Sequence, residues 1–146
     1  NILQSFPKKW KDEYFKAKIL NFSHIEFFLE ERKNYDNPFW HKKGRKEIYN
    51  LIQESFTNQT FFLCDNFIIK NNIYDLKTKN YLKKVLINLN QFKKSKLILP
   101  LHAFYFDDPE KLANYMKNIL KKIDKKIAIS FETDAEVERK IKFIEI

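Results

Sequence analysis

Residues 61–77 read FFLCDNFIIKNNIYDLK, and this stretch decides the predicted fold. The pairs Asp65-Asn66 and Asn71-Asn72 suit tight hairpin turns, because Asn and Asp tolerate a positive φ better than other residues with a side chain. The short apolar runs around both turns alternate with a period of two, which is typical of β-strands. The stretch therefore predicts a three-stranded β-meander.

The sequence before the meander is predicted to be mainly helical over residues 1–57. Pro7 can open a first helix, and Ser23 begins the capping-box pattern Ser-His-Ile-Glu that starts a second. A third helix is predicted from about Arg45, after Asn37-Pro38 has interrupted the pattern, because the residue before a proline avoids helical geometry. We therefore expect an N-terminal helical layer.

Residues 58–146 are predicted to mix strands and helices. Helical periodicity covers residues 79–92, and Asp108-Pro109 opens a further helix between apolar strands at 96–106 and 126–131. Residues 96–131 therefore form a predicted right-handed β-α-β crossover, and 140–146 a last strand. The fold class is α/β or α+β, with the helical layer on a mixed sheet of about five to six strands.

The length of 146 residues fits a single domain, 1–146. Because the chain starts at Asn1 without methionine, we expect a domain excised from a longer protein. Cys64 is the only cysteine, so it cannot form an internal disulfide and indicates a reducing, intracellular and cytoplasmic setting. No apolar run approaches the roughly 20 residues of a membrane span. One glycine is too few for a nucleotide-binding phosphate loop, so no nucleotide cofactor is expected.

The net charge of +9 favours a polyanionic partner, although almost all of the cations are lysine. The best predicted nucleic-acid surface has cations that can neutralise phosphate and aromatic rings that can stack on bases. Its residues are Phe39, Trp40, Lys42, Lys43, Arg45 and Lys46. The alternative hypothesis is that the two aromatic residues are core anchors and the cations a solvated loop.

The order helix, meander, helix and strand, with Asp65 and the triplet Asp75-Leu76-Lys77 in the meander, resembles the core of the PD-(D/E)xK nucleases. The resemblance implies that Asp65 and Asp75 hold a divalent metal and that Lys77 orients or deprotonates the attacking water. Mg²⁺ is expected only under this hypothesis; otherwise no cofactor is predicted. If the second turn is tight, the carboxylates of Asp65 and Asp75 lie roughly 10 Å apart on opposite faces of the sheet and cannot share a metal ion. In this alternative, Asp65 is a turn residue, and Asp75 and Lys77 belong to a solvated charge cluster.

A second acidic set follows the two strands of the predicted crossover. Carboxylates at the carboxyl ends of neighbouring strands can hold a metal ion or an amino-group substrate. The set is Asp107, Asp108, Glu132 and Asp134. Asp108 is also the predicted helix N-cap, and His102 is predicted to be a satisfied core histidine.

The composition and motifs together predict a basic nucleic-acid-binding domain. Two alternatives stay open: a non-enzymatic protein-interaction module of a larger protein, and a metal-dependent nuclease of the PD-(D/E)xK type. The expected partner is therefore nucleic acid or another protein.

Overall fold

Strands and helices alternate along the chain in a computed structural model that describes residues 8–30, 36–55, 58–63, 72–92, 95–121 and 127–145. Short 3₁₀ turns lie at Pro38–Trp40 and Ala103–Asp107. The other elements are α1 (Trp10–Ile19), β1 (His24–Leu29), α2 (Lys42–Ser55), β2 (Asn58–Leu63), α3 (Leu76–Leu89), β3 (Lys96–Pro100), α4 (Pro109–Leu120), β4 (Ala128–Glu132) and α5 (Val137–Glu145).

The described strands form one four-stranded sheet in the order β1-β2-β3-β4, and every neighbouring pair is parallel. Phe27 lies opposite Phe61, Phe61 opposite Leu97, and Leu97 opposite Ile129. Each strand pairs with the next one along the chain, so each connection carries a helix that returns the chain to the same end of the sheet.

One face of the sheet, here called the helix face, carries the hydrophobic core. Trp10 of α1 packs edge-on against Phe27, Phe39 and Phe92 pack on Phe61, and Phe143 of α5 packs on Phe131. The alternation of strand residues places these side chains on one side of the sheet. The helix face comprises Ile25, Phe27, Leu29, Phe61, Leu63, Leu97, Leu99, Ile129 and Phe131.

The other face of the sheet, here called the open face, is less covered by the described residues. Phe28 and Phe62 stack on each other at 6.1 Å between ring centroids and are only half-buried, and Ile98 beside them is half-buried too. None of the three belongs to the hydrophobic core or packs against it. The open face comprises Glu26, Phe28, Thr60, Phe62, Lys96, Ile98, Ser130 and Glu132.

Helix α4 begins as its sequence predicts. The Asp108 side chain accepts a hydrogen bond from the Lys111 amide at 3.0 Å, and Pro109 occupies the first turn, where its missing N–H is not needed. The predicted β-α-β unit is present, since α4 joins the parallel strands β3 and β4.

The predicted helix at Ser23 is wrong. Residues His24–Leu29 form strand β1, in which Phe27 and Leu29 are buried while His24 and Glu26 are exposed. The capping-box pattern is a local signal, and pairing with β2 along the full length of the strand overrides it.

The predicted third strand of the meander is also wrong. Ile73 and Tyr74 lie in a turn, and Leu76 already begins α3, with Asp75 at its N-cap position. The final segment, predicted as a strand, is helix α5, because its apolar residues recur at helical spacing. The sheet is therefore parallel with four described strands, in place of a mixed sheet of five to six. Cys64, Asp65 and the predicted second strand of the meander lie outside the described residues.

None of the described helices is both long enough and apolar enough to cross a membrane.

Candidate ligand-binding site at the carboxyl ends of the strands

The loops that follow β3 and β4 are joined to each other where the two strands end. The Leu101 amide donates to the Glu132 carbonyl at 2.8 Å, and the Ala103 amide donates to the Asp134 carboxylate at 2.9 Å. The Asp134 carboxylate therefore fixes the position of the 3₁₀ turn that follows β3. This edge of the sheet, formed by residues 101–104 and 132–134, is called the carboxyl rim below.

His102 and Glu132 are the polar side chains of the carboxyl rim that have no hydrogen-bond or ion-pair partner among the described residues. Glu132 is exposed and ends β4, in register with Pro100 on the open face. His102 is half-buried, and its ring stacks on Phe104 at 5.7 Å between centroids. No hydrogen bond or ion pair to a described residue engages either side chain.

The other predicted acidic residues of this edge have structural roles. Asp107 pairs with Arg139 of α5, and Asp108 caps α4. Asp134 accepts the Ala103 amide. Within the described ranges, no group of three or more His, Cys, Asp or Glu side chains is close enough to hold a metal ion. The four predicted metal ligands are thus not brought together as one ligand set.

A cluster of three tyrosines, of which Tyr105 is buried and Tyr74 and Tyr115 are half-buried, contacts the 3₁₀ turn of the carboxyl rim. The Tyr105 hydroxyl accepts a hydrogen bond from the Ile73 amide at 2.9 Å, and the Tyr115 hydroxyl donates to the Ile73 carbonyl. Tyr74 packs edge-on against both tyrosines. Burial raises the pKa of Tyr105 and of Tyr115 above the ordinary value for tyrosine, so both hydroxyls keep the proton further into the alkaline range. The cluster therefore ties the turn before α3 to the 3₁₀ turn Ala103–Asp107 and to α4.

Two of the residues proposed for nuclease chemistry lie at the start of α3. Asp75 and Lys77 are both exposed, and neither is on a strand. Because the helix turns by 100° per residue, the alternation that would place them on one side of a sheet does not apply. Asp65 lies outside the described residues, so its distance from Asp75 stays a prediction.

The aromatic residues of the predicted nucleic-acid surface are packing residues. Phe39 is fully buried and contacts Phe61, and Trp40 packs against Phe39 at 5.1 Å and against Tyr81 at 5.5 Å. Phe39 is therefore inaccessible to a base, and Trp40 is half-buried. This arrangement matches the alternative in which both residues are core anchors.

The cations of the same surface fall into two groups. Arg45 donates to the Phe39 carbonyl at 2.9 Å and to the Gln91 side chain at 3.2 Å, and partial burial lowers the pKa of its guanidinium. Arg45 therefore joins the 3₁₀ turn to the end of α3. Lys42, Lys43 and Lys46 are exposed on the first turns of α2, and no acidic residue lies in its first turn.

Sequence reasoning missed that His102 and Glu132 are the two polar side chains of the carboxyl rim without a described hydrogen-bond or ion-pair partner. His102 was placed inside a buried strand, whereas β3 ends at Pro100. The proline itself is a signal of this early end, because proline is rare within central strands. Glu132 was predicted to lie at this edge together with Asp107, Asp108 and Asp134. Only the structure shows that these three have structural partners and that Glu132 has none among the described residues.

Comparison of the chain with protein-family models, curated proteins and solved structures gave no match.

Proposed function

We propose that the protein binds a small polar ligand at the carboxyl rim, with Glu132 and His102 as its polar contacts. The observation that carries this proposal is the division of roles at the rim: Asp107, Asp108 and Asp134 hold the loops, while Glu132 and His102 have no described partner. In parallel α/β sheets, ligands bind at the carboxyl ends of the strands, where the loops supply the contacts.

The side chains at the rim define the chemistry of this ligand. The Glu132 carboxylate only accepts hydrogen bonds, and a neutral His102 imidazole can donate one and accept one. Phe104 is 55% exposed beside His102 and offers an apolar surface next to these polar groups. A molecule with hydroxyl or amino groups on a small carbon skeleton meets all three requirements.

The position of the rim is fixed before any ligand arrives. The Glu132 carbonyl accepts the Leu101 amide, the Asp134 carboxylate accepts the Ala103 amide, and the tyrosine cluster contacts the 3₁₀ turn that follows. A preformed site loses less conformational entropy on binding, so modest contacts are enough for measurable affinity.

The test is a titration of ¹⁵N-labelled protein with polyols, primary amines and amino acids, and separately with Mg²⁺ and Mn²⁺. We expect amide shifts confined to residues 101–104 and 132–134 on addition of a hydroxyl- or amino-bearing compound. Glu132→Gln and His102→Ala should each weaken that binding at least tenfold, whereas Glu138→Gln on the exposed side of α5 should leave it unchanged. Shifts that survive both rim substitutions, or that lie elsewhere on the protein, would refute the proposal.

Nucleic-acid binding is a second candidate, favoured by the first turns of α2. Lys42, Lys43 and Lys46 are exposed there, and the positive end of the helix dipole lies at the same place, where the first turn contains no acidic residue to offset it. Because Phe39 is buried and Arg45 is engaged, this candidate rests on phosphate contacts and not on stacking. It therefore predicts binding that ignores base sequence.

Both candidates are proposed for a reducing, intracellular setting, since the chain's single cysteine cannot form a disulfide with itself.

A further inference from the structure

The four-stranded sheet is covered by helices on one face only, as far as the described residues show. Parallel sheets are found almost exclusively with both faces covered, because their strands are apolar on both sides. Here the open face carries half-buried Phe28, Phe62 and Ile98 outside the hydrophobic core. Among the described residues, no helix covers these side chains.

Both edges of the sheet are unpaired within the described residues. The Ala128 amide donates to the Ser95 carbonyl, and the Glu132 carbonyl accepts the Leu101 amide, so these residues of β4 bond to β3. By alternation, the backbone groups of Ile129 and Phe131 point to the other side of β4, where they can bond to a further strand. No described strand pairs with the outer side of β1 either.

We propose that two copies of this chain join edge to edge and close an eight-stranded parallel barrel. The β4 edge of each copy pairs with the β1 edge of the other, so a two-fold axis relates the copies and no edge remains. The order β1-β2-β3-β4 with all strands parallel is the order that such a ring requires. Two sheets of four strands also give the strand number at which side chains just fill a barrel interior.

The open face has the composition of such an interior. Phe28, Phe62 and Ile98 from each copy would fill the middle of the barrel. Glu26 and Lys96 lie in one register row through Thr60, and both are exposed on the open face. Enclosed lysine and glutamate are stable only when paired, and in this row each copy supplies one of each. The charges of the row therefore balance, while the second glutamate of the open face, Glu132, lies at the carboxyl rim, at the end of the barrel.

The helices beside the two edges carry the apolar side chains that the junction needs. On α5, Val137, Ile141 and Ile144 recur at helical spacing and are 63%, 48% and 77% exposed. At the other edge, Ile19 at the end of α1 is 82% exposed and Leu20 is 64% exposed. When β4 of one copy pairs with β1 of the other, α5 of the first lies next to α1 of the second. The exposed apolar residues of both helices then cover each other.

The first test is the mass of the chain in solution, measured by light scattering during size-exclusion chromatography at about 1 to 100 µM protein. We expect a dimer of twice the 17.9 kDa chain mass, with no larger species, because the ring closes. A monomer over the whole range overturns the proposal, and so does a ladder of larger oligomers, which an open edge-to-edge arrangement would give.

Matched lysine substitutions locate the interface. Ile98→Lys places a charge on the open face and should shift the dimer to monomer, while Tyr49→Lys on the exposed side of α2 should leave the dimer intact. Far-ultraviolet circular dichroism checks that each variant is folded. Where Ile98→Lys fails to fold, Ile141→Glu on α5 makes the same test from the helix side. A dimer that tolerates Ile98→Lys or Ile141→Glu uses another surface and overturns the proposal.

A mixing experiment tests whether unlike edges meet. Ile141→Glu impairs the β4 side of the chain, and Leu20→Glu impairs the β1 side, so each variant alone should be monomeric. In a mixture, the unaltered β4 side of the Leu20 variant can still meet the unaltered β1 side of the Ile141 variant, and dimers should reappear. If mixing restores no dimers, the proposed pairing of β4 with β1 is overturned. An interface that joins β4 to β4, or β1 to β1, would give that result. The outcome is independent of ligand binding at the carboxyl rim.

Discussion

Substituting Gly44, the chain's single glycine, is expected to destabilise the protein in spite of its helical position. Gly44 lies in the first turn of α2 against the 3₁₀ turn Pro38–Trp40. A Cβ at this position would lie 2.6 Å from Pro38 Cβ and closer still to the Pro38 carbonyl oxygen. Much of the obstruction is backbone, so it cannot be relieved by turning a flexible side chain.

The size of the effect follows from two opposing contributions. Alanine in a helix is ordinarily more favourable than glycine by about 1 kcal/mol. Overpacking a buried contact costs about 1–3 kcal/mol, and this site lies at the upper end, about 3 kcal/mol, because the added Cβ meets backbone atoms and the segment that must move carries the fully buried Phe39. We therefore expect Gly44→Ala to lower the free energy of unfolding by about 2 kcal/mol, which lowers the melting temperature by about 4–8 °C at this chain length.

Urea denaturation followed by tryptophan fluorescence and circular dichroism measures this change. Lys43→Ala is the matched control, because it introduces the same side chain at the exposed neighbouring position and should change stability by less than about 0.5 kcal/mol. A Gly44→Ala variant that is as stable as the parent protein, or more stable, would refute the close packing of the 3₁₀ turn on α2.

Two further predictions concern alkaline stability and nucleic-acid binding. Burial raises the pKa of Tyr14, whose hydroxyl donates to Gln59 at 2.8 Å, so above about pH 10 the unfolded state loses this proton while the folded state keeps it. The free energy of unfolding should then fall by up to about 1.4 kcal/mol per pH unit, and Tyr14→Phe should flatten that fall in urea titrations at pH 9 to 11; an unchanged slope would contradict the assignment. For nucleic acid, fluorescence anisotropy at about 50 and 200 mM salt should show affinity that falls steeply with salt and with joint Lys42→Glu and Lys43→Glu substitution, but not with Lys142→Glu on α5. Equal losses in all variants would instead indicate an unspecific effect of net charge.

Local signals in the sequence were sufficient for several elements. Asp108 and Pro109 lie within one helical turn of the groups they satisfy, and they begin α4 as predicted. The helix predicted over residues 79–92 is present as α3, with Tyr81, Leu82, Val85, Leu86 and Leu89 buried. Capping and helical periodicity act over three or four residues, so the sequence alone contains what is needed to recognise them.

The sheet and the candidate site were decided by contacts between residues far apart in the chain. β1 is a strand because it pairs with β2 and because Phe27 packs on Phe61 at 5.7 Å, and these contacts override a local capping pattern. Charge and motif alone selected Phe39 and four acidic residues as candidates; burial of Phe39 and the hydrogen bonds of three of those acids then separated structural residues from Glu132. The sequence thus determined which segments can be helices and which residues carry chemistry. The tertiary structure decided the strand order, the face of the sheet that the described residues leave uncovered, and which candidate side chains have no described partner, because each of these depends on contacts between residues far apart in the chain.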